Sequence, residues 1–156
     1  MSPALLPLVP AEWPRARAVA ADAGLAEEFE PIRDEAGIAA VLGDPFAYEP
    51  MCWLALDGGR PVGLSYGFLL PVEGGGHWCM TRIGVIEAAR RRGVGTALLD
   101  QAKALRPDGF VLWVFQRNEG ARRFYERHGF ELVKLTDGAE NMEREPDALY
   151  RWNGNV

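Results

Sequence analysis

The sequence predicts a mixed α/β (α+β) fold around one twisted sheet. Two observations carry this expectation. Apolar runs at 51–56 and 62–70 flank the tetrapeptide Asp57-Gly58-Gly59-Arg60, the pattern of an antiparallel hairpin. From residue 77 to 115 a strand pattern, a helical pattern and a second strand pattern follow one another. Such a unit crosses over right-handed and leaves its two strands parallel. The 156 residues suit one compact domain, spanning 1–156, with a core of its own.

The elements follow in order. Leu5 to Val9 is a short apolar segment that predicts a first strand. Ala11 to Ala23 predicts an alanine-rich helix, with Pro14 tolerated in the first turn and Gly24 as its stop. An acidic stretch, Glu27 to Glu35, leads into a weaker helix that ends near Gly43-Asp44-Pro45. Met51 to Leu56 and Val62 to Leu70 form the hairpin, because Asp-Gly in its turn accepts positive φ. Gly74-Gly75-Gly76 marks the next turn, and His77 to Val85 a third long strand.

The periodicity then changes. Val94, Ala97, Leu98, Ala102 and Leu105 keep helical spacing and place a helix over about Gly93 to Leu105, closed by Pro107-Asp108-Gly109. Phe110 to Phe115 predicts a strand. Asn118 to His128 predicts a helix, with Asn118 as N-cap and Gly129 as stop. Phe130 to Leu135 predicts another strand, and Ala148 to Trp152 closes the sheet after a polar loop.

Composition narrows the function. Apolar residues are 48% and charged residues 25% of the chain, an ordinary globular balance. No apolar run approaches the roughly 20 residues of a membrane span, so no membrane association is expected. The first residues, Met1 to Pro7, lack a basic segment and make a poor signal peptide. Cys52 and Cys79 are far apart and lack ligand-like neighbours, which argues against a metal site or a disulfide framework. Both sit in apolar runs, as buried free thiols do, and fit a reducing cytoplasm. A net charge of −5 argues against nucleic acid as a partner.

Arg90-Arg91-Arg92-Gly93-Val94-Gly95-Thr96 stands between a strand and a helix N-terminus. A helix start offers free backbone N–H groups and the positive end of the dipole. Glycines let an anion approach that backbone, and arginines add charge. The pattern therefore suits a pyrophosphate cradle. It lacks the Lys-Ser/Thr pair of a Walker loop and the first glycine of the dinucleotide fingerprint. Taken alone, it fits a glycine turn with a solvated basic run equally well.

A second segment decides between these readings. Asn118-Glu119-Gly120-Ala121-Arg122-Arg123-Phe124-Tyr125-Glu126-Arg127-His128-Gly129-Phe130 is a capped helix running into a Gly-Phe strand start. With both segments present in this order, residues 81–135 resemble the GNAT superfamily of acyl-CoA-dependent N-acetyltransferases. That family shows Arg/Gln-x-x-Gly-x-Gly/Ala and then Asn-x-x-Ala-x-x-Phe-Tyr-x-x-x-Gly-Phe. One departure is Glu87, where the family commonly has proline.

The resemblance implies a mostly antiparallel sheet with a central parallel strand pair, flanked by helices. It implies acetyl-CoA as acyl donor, a primary amine of a small molecule or protein as acceptor, and direct attack in a ternary complex. Self-association into a homodimer is left open. The pantetheine arm would lie along the backbone of Ile83, Gly84 and Val85 as an added strand. The pyrophosphate would rest on the N–H groups from Arg91 through Arg92, Gly93, Val94 and Gly95 to Thr96, with Arg90 near by. Asn118 would approach the cofactor as well as cap its helix. Tyr125 would be the general acid for the departing thiolate; an aromatic packing role is the simpler alternative. Many relatives carry a basic carboxylate on the central strand near the position of Cys79, and this chain has none there. His77, Glu73 or ordered water are the remaining candidates for the base. A non-catalytic acyl-CoA sensor on the same fold is the rival expectation. The acceptor is expected among Phe46, Tyr48, Trp53, Asp137, Glu140, Glu143 and Glu145.

Overall fold

The computed structural model describes residues 3–7, 13–23, 53–72, 75–140 and 144–154. Within them seven strands form one sheet. They are β1 (Ala4–Pro7), β2 (Trp53–Asp57), β3 (Arg60–Val72), β4 (Gly75–Val85), β5 (Phe110–Phe115), β6 (Glu131–Leu135) and β7 (Asp147–Trp152). Their order across the sheet is β1-β2-β3-β4-β5-β7-β6. Among the described residues the helices are α1 (Trp13–Asp22), α2 (Val94–Leu105) and α3 (Glu119–Arg127), with one 3-10 turn at Glu87–Ala89.

The hairpin forms where its turn residues place it. Asp57 pairs with Arg60, and the two residues between them, Gly58 and Gly59, take φ of 58° and 84°. The positive φ therefore falls on the two glycines rather than on Asp57. β3 and β4 run longer than expected, pairing to Val72 and Gly75, so Gly75 and Gly76 belong to the strand. The acidic stretch, the weaker helix before Pro45 and Glu73 lie outside the described residues.

Every strand pair is antiparallel except β4 with β5, which is parallel. Adjacent residues Leu54 and Ala55 are both fully buried, so both faces of the sheet are covered at β2. Gly63 of β3 faces α2: a Cβ there would stand 2.8 Å from Val94 Cγ1 and 3.2 Å from Leu98 Cδ1. Val62 and Leu64 are one pleat out of phase and join an apolar cluster with Ala16, Val19 and Ala20 of α1.

A second cluster joins α2 and α3 to the far half of the sheet. It gathers Leu99, Phe110, Leu112, Tyr125, Phe130, Tyr150 and Trp152. Full burial of a side chain such as Leu99 contributes roughly 1.5–3 kcal/mol. Phe110 meets both Phe130 and Trp152 edge-on, at centroid distances of 5.4 and 5.7 Å.

The ends of α3 are closed by local chemistry. Asn118 Oδ1 accepts from Ala121 N at 3.1 Å, the N-cap its residue type predicts. At the other end Phe130 N donates to Tyr125 O at 3.0 Å and Gly129 N to Glu126 O at 3.3 Å, with Gly129 at φ 89°. That is the Schellman arrangement, and it sends the chain into β6.

Candidate functional site

The parallel pair β4–β5 is joined over a short distance. Its register is Cys79 to Val111 and Met80 to Leu112, and no later pair follows. Residues 82–85 of β4 keep their β3 partners, and residues 113–115 of β5 keep their β7 partners. The two strands thus part toward their C-terminal ends. Their facing backbone edges are open to an extended ligand, which can add there like a strand.

The chain turns just past the end of β4, through the Glu87–Ala89 turn. Glu87 N donates to Asp22 Oδ1 at 3.1 Å and ties this turn to the end of α1. A proline at 87 has no N–H and could not make that bond. Arg90 folds back, its Nε donating to Val85 O at 3.2 Å. Arg91 takes a left-handed φ of 64°, uncommon for a side-chain-bearing residue, and Gly93 follows at φ 81°.

Gly93 is the N-cap of α2, and no side chain caps that end. The first bond of the helix is Ala97 N to Gly93 O, at 3.0 Å. By helix geometry the N–H groups of Val94, Gly95 and Thr96 have no carbonyl partner within the helix. α3, by contrast, has its side-chain cap in Asn118.

These groups open on a cleft of about 560 Å³. One wall carries Val85, Arg90, Arg91, Gly93, Gly95 and Thr96, and the other carries Gly120, Phe124, Arg127 and His128 of the α3 segment. Three arginines and no carboxylate line it among the described residues. Together with the helix dipole this makes a site for an anion.

The second wall was missed by the sequence reading, although a signal existed. Positions 120, 124, 127 and 128 stand at i, i+4, i+7 and i+8, one face of a helix. His128 is held from two sides. Its Nδ1 lies 2.7 Å from Phe124 O and its Nε2 lies 3.1 Å from Thr96 Oγ1. Lys103 Nζ donates to His128 O at 2.6 Å and lies over the Trp152 ring at 5.0 Å. Burial lowers the Lys103 amine from its ordinary value, against the opposing pull of Asp100.

The other expected site residues are distributed as follows. Arg92 is exposed and does not line the cleft. Ile83 is half-buried against both apolar clusters, and Gly84 is buried. Asn118 acts as the α3 cap and lies outside the cleft wall. Tyr125 is 7% exposed, on the inner side of α3, with its ring 5.2 Å from Phe124 and 5.5 Å from Phe130. His77 pairs with Leu70 through the backbone, and its side chain, like Glu73, lies outside the described part of the structure.

Of the residues expected around the acceptor, Phe46, Tyr48 and Glu143 lie outside the described residues. Trp53 opens β2 with its indole Nε1 buried and unpartnered among the described residues. Asp137 Oδ1 accepts from Ala139 N at 2.9 Å, and Glu145 pairs with Arg117 at 2.7 Å. These two acids are therefore engaged within their own loop and its neighbour. Among the described residues no group of His, Cys, Asp and Glu is placed to hold a metal ion, and no helix is long and apolar enough to cross a membrane.

Behind α3, Tyr150 of β7 is fully buried. Arg122 Nε donates to its hydroxyl at 3.0 Å, and the hydroxyl donates to Glu126 Oε2 at 2.8 Å. Burial raises the phenol above its ordinary value, while the Arg122 hydrogen bond pulls the other way.

Three comparisons place this architecture among known proteins. A model of the acetyltransferase (GNAT) family matches residues 13–130. Probable N-acetyltransferase Rv2775 of Mycobacterium tuberculosis is 31% identical over 81 residues, 51% of this chain and 46% of that protein. The matched stretch thus spans about half the length of this relative. Among solved structures, Arabidopsis thaliana Naa50, in complex with the bisubstrate analogue CoA-Ac-MVNAL, superposes with a TM-score of 0.72 at 21% identity, over 97% of this chain and 98% of that one. The ribosomal-protein-S18-alanine N-acetyltransferase of Escherichia coli gives a TM-score of 0.72 at 17% identity, over 99% and 95%. At these identities the structural likeness establishes the fold.

Proposed function

The chain belongs to the GNAT family of acetyltransferases, and on that premise we propose that it moves the acetyl group of acetyl-CoA onto a primary amine of a small molecule or protein. The observation that carries this reading is a juxtaposition. The gap between β4 and β5 opens at the uncapped start of α2, beside a cleft lined by three arginines. A ligand with an extended amide arm and a pyrophosphate would need both features, side by side.

The residues present fit that ligand. The N–H groups of Val94, Gly95 and Thr96 would hold the pyrophosphate, and Arg90, Arg91 and Arg127 would balance its charge. The open backbone edge of Ile83, Gly84 and Val85 would take the amide arm. Bound there, the coenzyme supplies an activated acetyl thioester.

Tyr125 is the proposed general acid. The acceptor nitrogen forms a bond to the acetyl carbon as the carbon–sulfur bond breaks. The Tyr125 hydroxyl gives its proton to the departing sulfur, and the amine proton passes to a base. Supporting this, Tyr125 shares an apolar cluster with Leu112 and Val114 of β5, and Ile83 of β4 packs against the same cluster. All three belong to the two strands that frame the gap.

The test is a screen of small amines and peptide amino termini with acetyl-CoA, read by thiol release. Peptides belong in it because the analogue bound by Naa50 joins CoA to a peptide. Acceptor-dependent release supports the reading. Tight acetyl-CoA binding with no acceptor acetylated across the screen would favour a non-catalytic acyl-CoA-binding role.

A further inference from the structure

The pairing of Thr96 with His128 has a consequence for how the cleft takes an anion. The carbonyl oxygen of Phe124 can only accept, so His128 Nδ1, 2.7 Å away, must carry a hydrogen. A neutral imidazole then has a bare Nε2. The Thr96 hydroxyl, 3.1 Å from it, must donate its proton there. In that state Thr96 turns only lone pairs toward the cleft it lines. A protonated imidazole reverses this. Nε2–H donates to Thr96 Oγ1, and the threonine proton is released to hydrogen-bond an anion.

We propose that His128 is a positioning residue for Thr96, and that its protonation arms the phosphate cradle, so that binding of a pyrophosphate takes up a proton. This rests on the cleft being the phosphate site proposed above.

Arg90, Arg91 and Arg127 line the cleft beside His128. On α2, Lys103 donates to the carbonyl of His128, with Asp100 as its electrostatic neighbour. Glu119 stands at the start of α3, 3.9 Å from Arg123, and does not line the cleft.

Dephospho-coenzyme A is the suitable probe. Its pyrophosphate diester does not titrate near neutrality, whereas the extra monoester of coenzyme A loses its second proton at about pH 6. Calorimetric titrations in buffers of different ionisation enthalpy give affinity and proton uptake together. Wild type should bind about tenfold more tightly at about pH 6 than at about pH 8, with uptake of a fraction of a proton between. His128→Gln and Thr96→Val should each flatten this dependence to within about twofold and abolish the uptake. His77→Gln, which removes the other histidine in the sequence, should keep both.

The outcomes separate the two proposals. If Gly95→Asp binds the probe as wild type does, the site is elsewhere and both proposals fall. If Gly95→Asp abolishes binding but wild type shows no uptake, the site stands and the role of His128 falls. Uptake that survives His128→Gln or Thr96→Val, or that disappears with His77→Gln, overturns the His128 role in the same way. Should His128→Gln fail to fold, the wild-type, Thr96→Val and His77→Gln titrations decide the matter.

Discussion

A Cβ on Gly95 would stand 3.4 Å from Phe124 Cζ, so the start of α2 rests almost directly on the ring that forms the opposite wall of the cleft. Gly95 also belongs to the first turn, where backbone N–H groups are free. An alanine there makes an ordinary contact and should leave acetyl-CoA binding largely intact. Gly95→Asp brings a carboxylate to the proposed phosphate position. Acetyl-CoA should raise the melting temperature of wild type and Gly95→Ala but not of Gly95→Asp. An unchanged thermal shift in folded Gly95→Asp would remove the cradle from this place.

The three consecutive arginines should not be equivalent. Arg91 lines the cleft, whereas Arg92 is exposed and outside it. Arg91→Ala should weaken coenzyme A by about tenfold, the low end for a charge-assisted contact at an exposed site. Arg92→Ala should change it by less than about twofold. Arg90→Ala also loses the bond to Val85 O at the end of β4, so it should lower stability as well as affinity. Binding titrations at two salt concentrations check this, since screening should shrink the Arg91 effect. Equal losses for all three would mean general attraction rather than contact.

Tyr125→Phe keeps a ring that is 7% exposed and packs edge-on against Phe124 and Phe130. Affinity for acetyl-CoA should stay within a few fold. kcat should fall by about 10²-fold, the low end of general acid–base contributions. The basic limb of the pH–rate profile should shift, because the phenol donates only when protonated. A variant with wild-type kcat, measured where chemistry limits the rate, would leave Tyr125 as packing alone.

Gly63→Ala tests how α2 is seated. The added methyl would meet Val94 Cγ1 at 2.8 Å, Gly84 O at 3.1 Å and Leu98 Cδ1 at 3.2 Å. Overpacking of this kind costs about 1–3 kcal/mol. Chemical denaturation should show a lower midpoint with an unchanged slope. A neutral result would mean that α2 can shift on the sheet without penalty.

The Tyr150 phenol gives a stability change in alkali. Burial raises it above its ordinary value, with the Arg122 hydrogen bond opposing and the Glu126 contact adding to the rise. The folded state therefore favours the protonated phenol. Its contribution is complete below the unfolded value of about 10 and is lost as pH rises through the folded one. Denaturant midpoints should fall more steeply above about pH 10 in wild type than in Tyr150→Phe. Parallel pH profiles for the two proteins would contradict this.

Much of the fold was legible because its signals are local. Gly58 and Gly59 permit the hairpin, Asn118 and Gly129 bracket α3, and the unbroken apolar run of 110–115 gives β5 with the bounds expected from sequence. The uncapped start of α2 was legible for the same reason, since a glycine-bearing helix start with free N–H groups is written in consecutive residues. Glu87 departs from the family proline, but its bond to Asp22 joins residues 65 positions apart and is visible only in the fold.

What the tertiary structure alone decided is which side chains meet. The amino-acid order places Arg90, Arg91 and Arg92 side by side. The left-handed turn at Arg91 sets the first two in the cleft wall and leaves the third outside it. Thr96 and His128 are 32 residues apart, and neither type announces the other. They touch because α2 and α3 both pack on the Leu112 and Phe110 face of the sheet, with Gly95 set beside the Phe124 ring. Backbone propensity acts over a few residues and can be read along the chain. Proximity between distant side chains is set by how apolar faces share one sheet, and no short stretch of sequence contains it.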